Sequence, residues 1–254
     1  MAEQFQHDVL VIGSGPGGYV AAVRAAQLGF NTAIVEAKSG LGGTCLNVGC
    51  IPSKALLDSS ERYHQARHEF SEHGIDVDGL RVDWSKMMAR KQDVISKTTQ
   101  GIDYLMSKNK IKVYNGFASF QDGHTVSIAG ESGSETVTSR YIIVATGSTP
   151  ASLPFADFSS SRIISSTGAL ALPEIPKHLI VVGGGVIGVE LGSVYARLGA
   201  KVTIVEFMDR LLPTMDADLG KQLQKSLKGL AMEFHFKTKV TGVDVNDKTV
   251  QVTA

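Results

Sequence analysis

The sequence predicts an α/β protein made of two related halves, each a parallel sheet joined by helices. Two observations carry this. A succession of strand, glycine turn, helix and strand at 8–36 returns at 178–206, with Gly183 following Gly13 and Glu206 following Glu36 by the same 170 residues. In that register Gly15, Gly18, Ala26, Leu28, Gly29, Ile34 and Val35 also meet their own residue type. Elsewhere, apolar runs of strand length alternate with helix-length amphipathic segments, the pattern of parallel strands linked by helical crossovers.

In the first copy, 9–12 is an apolar strand, 13–18 is the turn Gly-Ser-Gly-Pro-Gly-Gly, 19–28 is helical and closed by Gly29, and 31–35 is a second strand ending at Glu36. In the second, 179–182 precedes the turn at 183–188, a helix runs to Leu198, and 202–205 ends at Glu206. The residue types fit one chemistry. The first glycine (Gly13, Gly183) makes the tight turn, the second (Gly15, Gly185) lets backbone approach a pyrophosphate, and the third (Gly18, Gly188) lets helix and strand pack closely. Amides at the helix start, Val186 and Ile187 among them in the second copy, receive phosphate charge. An acid 18 residues past the last glycine accepts hydrogen bonds from a ribose diol. The fold class is therefore two Rossmann-like dinucleotide-binding domains with parallel sheets, and a small β-meander is expected in each. Glu206 opposes the extra phosphate of NADP, so NAD is expected at the second turn. The plainer alternative is that one turn is a strand–helix connection that binds nothing.

The 25 Lys and Arg balance the 25 Asp and Glu, so charge suggests neither nucleic acid nor an anionic membrane as partner. No apolar run approaches the roughly 18 residues that would span a bilayer. Residues 1–7 have neither the basic start and apolar stretch of a secretory leader nor the arginines of a transit peptide, so a cytoplasmic location is expected. In a reducing compartment, two cysteines suggest a catalytic pair rather than a staple.

After Glu36 the chain reads as a helix over 55–73 closed by Gly74, a loop at 76–80, and a long helix over 84–108 with Trp84, Met87, Met88, Ile95, Ile102 and Leu105 as its buried stripe. His64 and His68 stand four apart, but no third ligand is placed near them, so a solvated helix face is expected and no metal. A strand at 111–114, a meander built from 117–120, 125–128 and 136–138, and a separate central strand at 141–144 follow. Pro150 and Pro154 mark a linker. The domains are expected at 1–149 and 150–254. The second has no counterpart of the strand closed by Ala145-Thr146-Gly147, as if cut short.

Cys45 and Cys50 lie in Gly42-Gly43-Thr44-Cys45-Leu46-Asn47-Val48-Gly49-Cys50-Ile51-Pro52-Ser53-Lys54. Residues five apart on a regular helix are about 8.7 Å apart at Cα, whereas a disulfide needs less than about 7 Å. A bridge therefore demands a break in the helix, which Gly49 and Pro52 permit; without one these are two separate structural thiols. A helix beginning near Ile51 puts Cys50 at its positive end.

This stretch resembles the active-site signature of the pyridine nucleotide–disulfide oxidoreductases. With Glu206 as ribose acid, it is most similar to the members that oxidise protein-bound dihydrolipoamide with NAD+. The resemblance covers the whole chain. It implies a redox-active Cys45–Cys50 disulfide, with Cys45 exchanging with substrate and Cys50 facing the flavin, and an ion pair of Lys54 with Glu190 beside flavin N5. It implies FAD along Gly13, Gly15, Gly18, Glu36, Gly43, Thr44, Cys45, Lys54, Gly116, Thr146, Gly147 and Ser148. It implies NAD along Gly183, Gly185, Val186, Ile187, Gly188, Glu190, Glu206 and Val240. Relatives on this scaffold reduce glutathione disulfide or mercuric ion. A folded module that binds FAD and NAD without catalysis is the other reading. The implied partner is a lipoyl domain, of an acyltransferase in a 2-oxo acid dehydrogenase complex or of the glycine-cleavage H protein. The family's homodimer forms through a C-terminal domain outside these residues, which also brings a histidine base from the other subunit.

Overall fold

The computed structural model describes residues 5–246 and 249–254. The chain divides into two compact units, Met1–Pro52 with Gln92–Thr149, and Ser53–Lys91 with Pro150–Ala254. The elements run β1 (His7–Ile12), α1 (Pro16–Gln27), β2 (Thr32–Glu36), α2 (Gly43–Val48), α3 (Cys50–His68), a 3-10 turn at Phe70–His73, α4 (Trp84–Lys108), β3 (Lys112–Asn115), β4 (Phe117–Phe120), β5 (Thr125–Gly130) and β6 (Gly133–Val144). They continue with α5 (Ser166–Ala169), β7 (His178–Val182), α6 (Val186–Arg197), β8 (Lys201–Val205), α7 (Ala217–Lys228), β9 (Glu233–His235), β10 (Gly242–Val245) and β11 (Val250–Thr253).

In the first unit the strand order is β3-β2-β1-β6-β5-β4. β2, Thr-Ala-Ile-Val-Glu, is buried along its whole length, as a parallel strand covered on both faces must be. One face packs Val9, Val11 and Ile34 against Ala22 of α1, Leu46 of α2, and Ile102 and Met106 of α4. The other packs Leu10, Ile12, Ala33 and Val35 against Val126, Ile128 and Val137 of the meander.

The strands expected separately at 136–138 and 141–144 are one strand, β6. Its first half runs antiparallel to β5 as far as Thr125↔Thr138. Its second half runs parallel to β1 from His7↔Ser139 to Ile12↔Val144. The hinge is the buried Ser139, whose amide donates to the His124 carbonyl and whose hydroxyl donates to the Tyr141 carbonyl. The side chain supplies there what a turn would otherwise supply, and no glycine or proline interrupts the strand.

In the second unit β7-β8-β9 form a parallel sheet and β10 pairs antiparallel with β11. The two units also part between Thr149 and Pro150. However, residues 53–91, expected in the first domain, pack with the second unit, because Leu56 of α3 shares a core with Leu170, Leu191, Val194 and Leu198. Three side-chain donors pin the end of α5. Tyr195 Oη donates to the Ala169 carbonyl, Lys91 Nζ to Leu170 at 2.5 Å and Trp84 Nε1 to Leu172 at 3.0 Å.

Lys91 is 8% exposed, and burial pulls its ammonium below the ordinary lysine value of 10.5. The charged form is the costly one in the fold. The penalty is present in full below the depressed pKa and vanishes as pH rises from there to 10.5. Relative to Lys91→Met, the natural protein therefore gains stability over that alkaline range, which denaturant titrations of both from neutral pH to 10.5 will read.

Candidate functional site

The first glycine turn leaves β1 through Gly13, whose φ of +101° only glycine adopts readily and whose added Cβ would lie 2.4 Å from the Ala145 carbonyl oxygen. That contact brings Ala145 and Thr146, at the end of β6, against the turn; Thr146, Gly147 and Ser148 follow it as exposed backbone. A Cβ on Gly18 would fall 1.8 Å from the Gly13 oxygen, so the third glycine is the packing one. Gly15 is the N-cap of α1 and makes no side-chain cap; Pro16 after it has no amide hydrogen, and the Gly18 amide donates to the Gly15 carbonyl at 2.8 Å, so Gly17 carries the amide that faces outward for a ligand. Glu36, 7% exposed, accepts the Ser14 amide at 3.0 Å and the Ser14 hydroxyl on one oxygen and the Lys38 amide at 2.9 Å on the other. The Gly116 amide donates to the Glu36 carbonyl, which puts Gly116 at the same strand end.

The cysteine helix sits on this turn. Gly42, at φ +103°, donates its amide to the Ser14 carbonyl at 3.0 Å and the Ser14 hydroxyl at 3.1 Å. Gly43 lies so close to Gly15 that an added Cβ would be 2.5 Å from its Cα. Asn47 Nδ2 donates to the Leu41 and Gly43 carbonyls and holds the first turn of α2. The break that a bridge requires is at Gly49, with φ −144° and ψ −112°; a Cβ there would meet the Thr44 oxygen at 2.8 Å. Cys45 lies half-buried within α2, Thr44 beside it is exposed, and the exposed Cys50 opens α3.

The second turn repeats the first. Gly183 has φ +107°, and a Cβ on Gly188 would lie 2.9 Å from the Gly183 oxygen. Gly185 caps α6 without a side chain, and neither Gly183 nor Gly185 has an atom within 4 Å of an added Cβ. Val186 and Ile187 at the start of α6 are 42% and 61% exposed. Glu206 accepts the Gly184 amide at 2.5 Å and the Met208 amide at 2.6 Å. The Thr238 amide donates to the Glu206 carbonyl, whereas Val240 itself is buried. Within this unit the Lys54 ammonium is held by both oxygens of Glu190 at 2.6 and 2.7 Å. His64 and His68 have ring centroids 4.8 Å apart, and no group of three or more His, Cys, Asp or Glu among the described residues could hold a metal. No helix among them is long and apolar enough to cross a membrane.

A parallel strand, a bare helix start and a clamped acid make a dinucleotide site, and a protein with two of them and a cysteine pair seated on the first falls among the dinucleotide-dependent oxidoreductases. More particularly, the chain belongs to the pyridine nucleotide-disulphide oxidoreductase family, whose pattern matches residues 7–254. It is 50% identical over 249 residues to the mitochondrial dihydrolipoyl dehydrogenase of Pisum sativum, covering 98% of this chain and 50% of that one. It is 51% identical to the leghemoglobin reductase of Vigna unguiculata, over 98% of this chain and 48% of that one. The solved flavoprotein disulfide reductase RclA of Escherichia coli, HOCl-induced, superposes with a TM-score of 0.82 at 28% identity, over 97% of this chain and 53% of that one. The chain thus spans about half the length of the curated relatives it matches.

The family uses FAD and NAD(H). The residues present fit both: each turn ends at a helix start without a side-chain cap and beside a buried acid fixed by two amides, and at the second turn the backbone of Gly183 and Gly185 is open. The cytoplasmic expectation does not stand, since the relatives from Pisum sativum, Arabidopsis thaliana and Schizosaccharomyces pombe are named mitochondrial. Composition at the chain start carries no location.

Sequence reasoning treated Ser14 only as a turn residue and missed its buried hydroxyl; its pairing with Gly184 in the repeat was the available signal. The clash at Gly43 is with backbone that has no rotamer to move. Gly43→Ala should therefore cost about 1–3 kcal/mol and unseat α2. Gly17→Ala, with open space at its Cβ, should change stability by less than about 0.5 kcal/mol. Denaturant unfolding of the two variants checks both.

Proposed function

We propose that the protein oxidises the dihydrolipoyl group of a carrier domain and reduces NAD+. The observation that supports this most is the cysteine pair itself. The two cysteines flank a helix break at Gly49, on a helix seated directly on the first dinucleotide turn. The relatives named dihydrolipoyl dehydrogenase support this choice of substrate class. A lipoyl thiolate attacks the Cys45 sulfur of a Cys45–Cys50 disulfide, that bond breaks, and Cys50 leaves as thiolate. The second lipoyl thiol then attacks the mixed disulfide, releasing lipoamide and a reduced cysteine pair. FAD, when bound, carries the electron pair from the two thiols to NAD+, so that dihydrolipoamide and NAD+ give lipoamide, NADH and a proton. Lys54, gripped by Glu190, supplies fixed positive charge for the reduced cofactor. Glu36 and Glu206 take the two riboses. The partner is the lipoyl domain of an acyltransferase or glycine-cleavage H protein, the enzyme works as a homodimer, and it resides in mitochondria.

The natural full-length protein should be yellow, turn over dihydrolipoamide with NAD+, and lose that turnover by at least about a thousandfold in Cys45→Ser or Cys50→Ser. A colourless protein, or cysteine variants that still turn over, would sink the proposal and favour a binding module. Faster reduction of glutathione disulfide or mercuric ion would move it to another branch of the family.

Glu206 also sets the nucleotide. NADH should bind at least about tenfold tighter than NADPH, because a buried carboxylate faces the extra phosphate, and Glu206→Val should narrow the gap. Fluorescence titration with the two nucleotides measures it.

A further inference from the structure

The internal repeat holds more detail than its glycines. In both copies the acid's oxygens accept the amide of the residue after the first glycine and the amide two residues beyond the acid: Ser14 and Lys38 for Glu36, Gly184 and Met208 for Glu206. In both, a later amide returns to the carbonyl of that residue: Gly42 to Ser14, and Leu212 to Gly184. Gly42 and Leu212 are themselves 170 residues apart, and both have positive φ, +103° and +50°. The two clamps are therefore the same device. They differ in one group, the Ser14 hydroxyl, where the second copy has glycine.

That hydroxyl is wholly buried and makes two hydrogen bonds. It donates to Glu36 Oε2 and accepts the Gly42 amide at 3.1 Å, at the N-cap of α2. The second copy, whose returning loop carries no cysteine, does without it. Resting on the function proposed above, we propose that Ser14 is a positioning residue for the cysteine pair. Its hydroxyl ties the start of the cysteine helix to the ribose acid and so holds Cys45 in register with the dinucleotide turn.

Ser14→Ala removes the hydroxyl and keeps the backbone clamp, and Ser14→Gly copies a turn that already folds in the second unit. In the full-length protein with its flavin, amide exchange over 42–46 should run about fivefold faster in either variant, the scale of one lost hydrogen bond, with 207–216 unchanged as the internal reference. Per bound flavin, dihydrolipoamide oxidation should fall about fivefold further than NADH-driven reduction of an artificial dye. Unaltered exchange over 42–46 overturns the proposal, as does an equal fall in both rates, which is what a general loosening produces. If the unmodified protein reduces the dye with NADH but leaves dihydrolipoamide untouched, the function proposed above fails instead, and the exchange measurement alone decides Ser14.

Discussion

The seat of α2 on the first glycine turn is the contact on which the redox reading depends. Backbone meets backbone where Gly43 sits on Gly15, with no room for a Cβ at Gly43, and Gly42 donates back to Ser14. Leu46, 4% exposed, anchors the other side of α2 in the core with Val9, Val11 and Ile34, a burial worth about 1.5–3 kcal/mol. A six-residue helix has little stability of its own, so its position is set by these tertiary contacts. Cys45 lies in the middle of that short helix. Gly49 closes tightly on the Thr44 carbonyl, ends α2, and lets α3 start at Cys50. The pair therefore owes its geometry to three glycines at 42, 43 and 49, none of which is a reacting group.

The repeat separates what any dinucleotide site needs from what this chemistry adds. Up to Gly42 and Leu212 the two copies agree in glycines, acid, clamp and backbone sign. Beyond that point they part. The first copy continues into α2, the break and α3, whereas the second passes Pro213 and starts α7 at an Asp216 N-cap that accepts the Asp218 amide. The copies thus share the turn and the clamped acid, and only the first follows them with a short helix that carries a cysteine and breaks at Gly49 before the second cysteine.

Much of this was legible in the sequence because it obeys short-range rules. The strands beside the two turns, the helix end at Gly29, the span of α4 and the need for a break between the cysteines follow from periodicity, caps and covalent reach, whereas the helix expected over 55–73 runs Cys50–His68 and gives way to a 3-10 turn before Gly74. What was hidden depends on partners far along the chain. Nothing near Ser139 announces that β6 changes partner from β5 to β1 while staying extended. Nothing in 53–91 says that Leu56 packs with Leu191 and Val194 rather than with the sheet that precedes it. Ser14 looks like any small turn residue until Gly42 arrives 28 residues later.

The two acids are held in the same way, by backbone alone, before any ligand arrives. A carboxylate 7% exposed, as Glu36 and Glu206 both are, has lost most of its water, and that loss must be made good by other donors. Each oxygen has one in a backbone amide from the turn or from the segment just past the strand. Amides cannot turn away as side chains can, so the anion is held in one place, with lone pairs left for a diol. A ribose hydroxyl meets those acceptors at little cost, because nothing has to reorganise. A ribose phosphate would meet a second anion whose field is screened far less than at the surface. The same four amide bonds that make burial of the two acids tolerable thus also fix each carboxylate in one place, in both copies alike.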